Sequence, residues 1–288
     1  MAQPWFNALL VDPLRMVLGL WSRRELIWQF TRRNIELRHR GSRLGAFWAL
    51  LNPLSMLALY FVVFGVIYGT RFDVLADETS FDFSLALFMG LILFHAFSET
   101  LAWAPGVIVA NPNFVKKVVF PLEVLPVAHM GATAFHLMVS LGLVLLGSAF
   151  STAGLSVSVL WLPVLMLPLL LFSLGIAWAL AALGVFIRDI GQVTAFVSTA
   201  LLFASAVMYP PSKIQAALVG QPPTVQAALD LLLHNPLLQL IDMARRVVLW
   251  HQPMPYETLL QLFAISLVVF GFGAVLFALL RRSFAEVI

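Results

Sequence analysis

The chain has 288 residues, of which 61% are hydrophobic and only 11% are Asp, Glu, Lys or Arg; ordinary domains run near 45–50% and 25%. So few charges cannot cover a water-soluble globule of this size, and a mean hydropathy of +0.95 points to an integral membrane protein. The absence of cysteine excludes a disulfide scaffold, thiolate metal ligands and a cysteine nucleophile, and none of the three lysines, Lys116, Lys117 and Lys213, is followed by Ser or Thr, so the chain carries no Walker-type phosphate loop.

The first twenty residues are followed by a stretch, 20–45, that reads as a helix lying in the membrane interface. Over 20–40, Glu25, Gln29, Arg32, Arg33, Glu36 and Arg40 share one arc, and Leu20, Leu26, Ile27, Phe30 and Leu37 the other. Six apolar stretches then predict six spans: Ala46–Tyr68, Phe83–Trp103, Val127–Phe150, Val159–Ile187, Gln192–Tyr209 and Thr258–Leu280. The fourth is long enough to need tilt or a bend, with Pro163 and Pro168 as bend points, and the fifth is short. Asn52-Pro53 predicts a kink in the first, and Tyr60, Phe64 and Tyr68 form an aromatic stripe at four-residue spacing.

Between spans two and three, Asn113 is placed to cap a short helix over Phe114–Phe120 that shows Lys116 and Lys117 and ends at Pro121. Arg188 and Asp189 flank the tight turn between spans four and five, where each suits the helix dipole beside it. The segment Pro210–Glu257 holds seven of the sixteen prolines; Val225–His234 is too short to cross a bilayer, and Asn235-Pro236 opens a helix to about Trp250 bearing Asp242, Arg245 and Arg246. These read as re-entrant or gate helices before the sixth span (258–280), which a short tail, 281–288, follows. The chain is therefore expected to be one all-α transmembrane domain over 1–288, with spans one to five in 46–209 and the gate segment in 210–257.

Thirteen of the seventeen Lys and Arg fall on one side of these spans, which by the positive-inside rule places both termini in the cytoplasm. The basic balance thus reflects orientation rather than nucleic-acid binding. Glu99 is the one carboxylate inside a span, with His95 one turn before it; an interhelical bond to His129 or His136 is favoured over a proton relay or substrate contact. Neither a metal site nor a catalytic constellation stands out.

Four groups of residues, in order along nearly the whole chain, carry a family resemblance. The first is Arg32-Arg33-Asn34 to Leu44-Gly45, with Trp48-Ala49 and Asn52-Pro53-Leu54. The second is Asn111-Pro112-Asn113-Phe114-Val115-Lys116-Lys117-Val118-Val119-Phe120-Pro121, with Glu123-Val124-Leu125-Pro126. The third is Phe186-Ile187-Arg188-Asp189-Ile190 with Met208-Tyr209-Pro210-Pro211, and the fourth Asn235-Pro236-Leu237, Ala244-Arg245 and Phe284-Ala285-Glu286-Val287-Ile288. Together they resemble the membrane subunit of ABC transporters that export polysaccharides, the capsular-polysaccharide, O-antigen and teichoic-acid exporters. Many relatives carry glutamine where this chain has Asn52.

The resemblance implies a permease in a bacterial inner membrane that pairs with itself and with two copies of a separate ATPase holding ATP and Mg, with no cofactor on this chain. It implies ATPase coupling around Asn113, Phe114, Lys116, Lys117, Phe120, Arg188 and Asp189, and substrate access past Arg32, Arg33, Arg38, Arg40 and Arg43. A channel would be lined by spans one and five, through Asn52, Tyr60, Phe64, Tyr68, Phe196 and Phe203, with an outer gate at Asp242, Arg245 and Arg246. The expected cargo is a lipid-linked polysaccharide, capsular first and O-antigen next, handed to periplasmic and outer-membrane export proteins. The rival readings are an ABC exporter of small molecules or lipids, an intramembrane enzyme acting on lipid-linked glycans, and an ion-coupled transporter. An enzyme needs a cluster of carboxylates or histidines at one membrane face, and an ion-coupled carrier inverted repeats; neither is visible.

Overall fold

The computed structural model describes residues 11–38, 40–116, 120–218 and 220–288, the side chain of Ala46 excepted, and these residues are helical with no strand among them. Two helices replace the single one expected over 20–40: α1 (Asp12–Ser22) and α2 (Arg24–Arg38). The break falls at Arg23, whose N–H closes α1 on the Leu20 and Trp21 carbonyls while its guanidinium pairs with the buried Glu123.

Helix α3 (Trp48–Tyr60) has Pro53 in its interior and continues as a π-helical stretch, Phe61–Ile67. Gly65 lies in that stretch because the chain touches α4 (Ser80–Trp103) there: a Cβ would stand 2.9 Å from both the Ser80 carbonyl oxygen and Ser84 Oγ. Helix α4 is the most enclosed of the long helices. A Thr79–Asp82 capping box starts it, and Asp82 also accepts from the Thr152 N–H at 3.0 Å, which ties the start of α4 to the loop beyond α6.

After the short α5 (Pro112–Lys116) come α6 (Val124–Ser148) and α7 (Leu162–Phe186). Asn113 lies inside α5 rather than capping it, because Pro112 takes the first turn, where its missing N–H costs nothing. The same logic corrects Pro163, which sits in the first turn of α7; only Pro168 is interior. Helix α7 is packed backbone to backbone against α12 (Tyr256–Leu280): a Cβ on Gly273 would fall 1.9 Å from the Gly175 carbonyl oxygen, and one on Gly175 2.5 Å from that of Val269.

Among the described residues, five helical stretches are long and apolar enough to cross a membrane: Trp48–Ile67, Ser80–Gly106, Val124–Ser148, Val157–Phe186 and Tyr256–Val287. The span expected over Gln192–Tyr209 is shorter than the sequence implied. Helix α8 (Ile190–Ala204) has 15 residues, about 22 Å at ~1.5 Å per residue against a ~30 Å hydrocarbon core. The backbone turns at Ala206 (φ 50°), and its carbonyls find partners elsewhere. Asn235 Nδ2 donates to Ala204 O at 3.0 Å; Arg245 donates to Ala206 O at 2.9 Å and also to Val207 O.

Three helices with proline in the first turn or at the first position follow: α9 (Pro211–Leu218), α10 (Pro223–Leu233) and α11 (Pro236–Val248). Asn235 caps α11 as its sequence requires, accepting from the Leu237 N–H at 3.0 Å. The last helix, α13 (Phe284–Val287), buries Phe284 against Phe277 and Phe186. Asp12 pairs with Arg282, and Arg23 and Arg281 both pair with Glu123. These contacts gather both ends of the described chain at what is called here the basal end.

Candidate functional site

A cleft of about 710 Å³ runs between α3, α4 and α6. Its walls are graded. Arg38, Trp48, Asn52, His95 and Glu99 line the part nearest the basal end, and Met56, Leu59, Phe88, Leu91, Ile92 and Leu137 line the middle, with Tyr60 beyond. Such a volume falls within the range that seats a small molecule or a lipid chain. Across the charged part, Arg38 at the end of α2 donates to Glu99 of α4 at 2.7 Å. The pair is partly open, with side-chain exposures of 41% and 23%.

This overturns the expected partner of Glu99. His129 instead stacks on Trp103 (5.0 Å between ring centroids), and His136 meets the Phe135 ring edge-on at 5.4 Å. Among the described residues no group of three or more His, Asp or Glu is arranged to hold a metal ion.

Helix α2 is fixed to the body at Thr31, two turns before Arg38 on the same face of the helix. Thr31 is buried and donates to the Ala128 carbonyl at 3.3 Å, and Gly131 leaves it room: a Cβ there would lie 2.7 Å from Thr31 Oγ1. Its outward face carries Arg32, paired with Glu36 at 2.8 Å, and Arg33, 5.7 Å over the Phe30 ring. Arg40 and Arg43 are exposed in the turns that lead to α3. All five arginines assigned to substrate access thus lie on one continuous stretch beside the cleft, but only Arg38 lines it.

Phe30 also joins two regions that the sequence treats separately. Its ring stands 5.6 Å from Phe114 and 5.4 Å from Phe120, and those two rings stack at 4.5 Å. The short α5 is therefore held against α2 by aromatic contact, with Asn113 and Lys116 exposed. Lys117 lies outside the described residues. Arg188 and Asp189 are exposed in the turn between α7 and α8. Glu123, 3% exposed, accepts from Arg23 and Arg281, and Trp178 Nε1 donates to its backbone carbonyl at 3.4 Å. Sequence reasoning missed Glu123 as an anchor; its position immediately before a long apolar helix was the available signal.

The aromatic stripe of α3 survives the change to π-helical geometry. Tyr60 and Phe64 are 6.3 Å apart, Phe64 stacks on Tyr68 at 5.9 Å, and Tyr68 is largely exposed. Phe196 and Phe203 stand out from α8 into open space, and that helix touches α4 through a 2.6 Å Ser198–Ser98 hydroxyl bond. Asn52 is exposed on the cleft wall.

The three residues assigned to an outer gate divide. Asp242 and Arg246 form an ion pair at 2.6 Å, and burial pushes the Asp242 carboxyl above the usual carboxylate range against the pull of Arg246 and Arg245. Arg245 is fully buried; besides its bonds to Ala206 and Val207 it donates to Ala86 O at 2.8 Å and lies 4.8 Å over the Phe72 ring. Its guanidinium holds the broken end of α8 against α4 rather than facing an opening.

Comparison with known proteins bears on this geometry. The ABC-2 type transporter family matches residues 25–219. The chain is 30% identical over 275 residues to the O-antigen export system permease protein RfbA of Myxococcus xanthus, covering 95% of this chain and 99% of that protein. Two proteins of the same name from Klebsiella pneumoniae are 22% and 21% identical, covering 96% and 92% of this chain and 99% and 95% of their own lengths.

Proposed function

We propose a function on the premise that this chain belongs to the ABC-2 type transporter family: it is the permease subunit of an ATP-driven exporter that carries a lipid-linked polysaccharide out of the cytoplasm. The named relatives favour an O-antigen-type polymer over the capsular polysaccharide placed first from sequence. In this reading the protein sits in a bacterial inner membrane with both termini cytoplasmic, so the basal end faces the cytoplasm, and the polymer passes on to periplasmic and outer-membrane export proteins. The short α8 counts as a sixth crossing, and α1 with α2 as the interfacial element.

The observation that carries the reading is a pair of bare helices. Among the described long apolar stretches Trp48–Ile67 is the least covered, and helix α8 buries only Thr194, with Tyr68, Phe196 and Phe203 exposed. A second copy of the chain would face these helices across a channel. Aromatic faces suit a polymer that must slide, because they contact the apolar CH groups of sugars without fixing any one of them. The charges lie at the ends: Arg32, Arg33, Arg38, Arg40 and Arg43 where a phosphate-bearing lipid would approach, and Asp242 with Arg246 on the far side.

Two copies of a separate ATPase, which would hold ATP and Mg, would dock on the exposed polar groups of the basal end, Asn113 and Lys116 with Phe114 and Phe120 behind them, and Arg188 and Asp189; Lys117, outside the described residues, belongs to the same docking segment in sequence. The Phe30–Phe114–Phe120 contact then gives a direct route from the docking helix to α2.

Affinity purification of the chain from its native host, with a search for a co-purifying ABC ATPase, tests this reading. A stable complex, with surface glycan that disappears in an Arg32→Ala/Arg33→Ala variant of normal assembly, is the expected result. Failure to recover any ATPase would defeat the reading, and unchanged surface glycan in the double variant would remove the access role from these arginines.

A further inference from the structure

The cleft between α3, α4 and α6 has a function that channel lining does not supply. We propose that it seats one phosphate-headed, long-chain lipid per chain, and that Glu99 serves as the stand-in anion that holds Arg38 in place until the lipid arrives.

Three features carry this. The cleft is amphiphilic along its length: its charged groups, the Arg38 guanidinium and the Glu99 carboxylate, lie near the basal end with an indole, an amide and an imidazole, and the middle is mainly apolar, its polar groups being the uncharged Ser55, Thr133 and Ser140 and the His136 ring. That gradient matches a lipid with an ionic head and an apolar tail, and matches neither a free sugar nor a purely apolar molecule. Second, the Arg38–Glu99 pair stands at the polar part and both members are partly exposed. An ion pair at such exposure contributes little net stability and exchanges readily, whereas a phosphate offers Arg38 more negative charge and two acceptor oxygens for its planar fork. Third, Arg38 closes α2 at the end nearest the cleft, while Thr31 pins the same helix to α6. The guanidinium therefore moves on the side-chain stem and the helix stays put.

The exchange is simple. Arg38 leaves Glu99 and takes the phosphate; Glu99 turns to solvent; the tail lies along Met56, Leu59 and Ile92 of the cleft. The lipid can be the carrier of the exported glycan or a phospholipid of the bilayer, and only this choice of source rests on the export reading.

The sequence has no cysteine, so Met56→Cys installs a single thiol in the cleft for an environment-sensitive fluorophore. The labelled full chain goes into phosphatidylcholine nanodiscs doped either with a polyprenyl phosphate or with phosphatidylglycerol. The expected result is a saturable blue shift of the label with the polyprenyl phosphate. Arg38→Ala should weaken that response by about tenfold or more, the loss expected for a charge-assisted contact. Arg38→Lys, which keeps the charge without the fork, should fall between, and Glu99→Gln should tighten binding by removing the competitor. A blue shift with phosphatidylglycerol of equal affinity and equal dependence on Arg38 would support the site and assign it to bilayer lipid. The proposal is overturned if neither lipid shifts the label, if the shift persists in Arg38→Ala, or if Glu99→Gln weakens binding as Arg38→Ala does. A melting temperature of Arg38→Ala near that of the parent shows that the loss is not unfolding. If no ATPase is recovered with the chain while the lipid still shifts the label, the export reading fails and the site stands.

Discussion

Replacing Arg245 and Gly90 singly and together tests whether one buried guanidinium holds the broken helix α8. Arg245 is 0% exposed, and a Cβ on Gly90 would lie 2.0 Å from its terminal nitrogen. Arg245→Ala strands the Ala206 and Val207 carbonyls, which lie beyond the end of α8; at roughly 1–3 kcal/mol for each buried unsatisfied group, the loss is about 2–6 kcal/mol. Gly90→Ala in the parent forces the guanidinium aside, which it cannot do without leaving its three carbonyls, so a cost of about 2–3 kcal/mol follows from overpacking and lost bonds. Once Arg245 is gone the nearest neighbour of the same methyl is Ile241 Cγ2 at 3.2 Å, a close contact that a small shift of that side chain into the vacated space relieves, and alanine is favoured over glycine in a helix by roughly 0.5–1 kcal/mol. Gly90→Ala should therefore be neutral or stabilising in the Arg245→Ala background, giving a coupling of about 2–3 kcal/mol between the two sites. Reversible unfolding of the full chain in mixed micelles measures all four corners of the cycle. If Gly90→Ala costs the same in both backgrounds, the two side chains do not meet and the account of α8 is wrong.

Other outcomes follow from the basal end and the caps. Glu123→Gln leaves Arg23 and Arg281 facing a neutral amide beside Trp178; about 3 kcal/mol of stability should be lost, with faster proteolysis around Arg23, and an unchanged unfolding midpoint would show the anchor to be idle. Phe30→Ala opens a gap between α2 and the Phe114–Phe120 stack. Under the proposed function it should reduce glycan export severalfold while ATP hydrolysis by the complex continues, and a parallel fall in both activities would argue against a transmission role. Asn235→Ala removes the cap of α11 and the donor to Ala204; a loss of about 1–2 kcal/mol is expected, and Asn235→Asp, which caps without donating, should recover only the capping part.

The features readable in the sequence are those whose partners lie close by in the chain. Asn235-Pro236 works as a cap because Leu237 is two residues away, and the stripe of Tyr60, Phe64 and Tyr68 needs only the turn of its own helix. The charge-poor composition and five of the apolar stretches translate directly into long helices, for burial of apolar area does not depend on which neighbour supplies the cover. What escaped reading are contacts across the sequence. Arg38 and Glu99 are 61 residues apart and meet only because α2 folds back along α6 through Thr31 and Gly131. The early end of α8 is invisible locally: Leu201, Leu202 and Phe203 continue its pattern, and the helix stops where Asn235 and Arg245, 31 and 39 residues beyond the carbonyls they serve, offer donors that α8 itself lacks. The single interfacial helix failed likewise, since Arg23 reads as one more helical arginine until Glu123, 100 residues on, is brought beneath it.

The contact between Gly175 and Gly273 has a mechanical consequence. Where two helices touch through side chains, a push can be absorbed by rotamer changes in the layer between them; here that layer is missing, and carbonyl oxygen rests against Cα. Helices α7 and α12 consequently move as one strut, and their shared stiffness makes them the fixed frame of the protein. A load applied at the basal end cannot be dissipated in this seam, so it is delivered to the elements held by few contacts, the first apolar stretch and α8. The frame is set by two residues with no side chain, and the moving parts by what those residues refuse to yield.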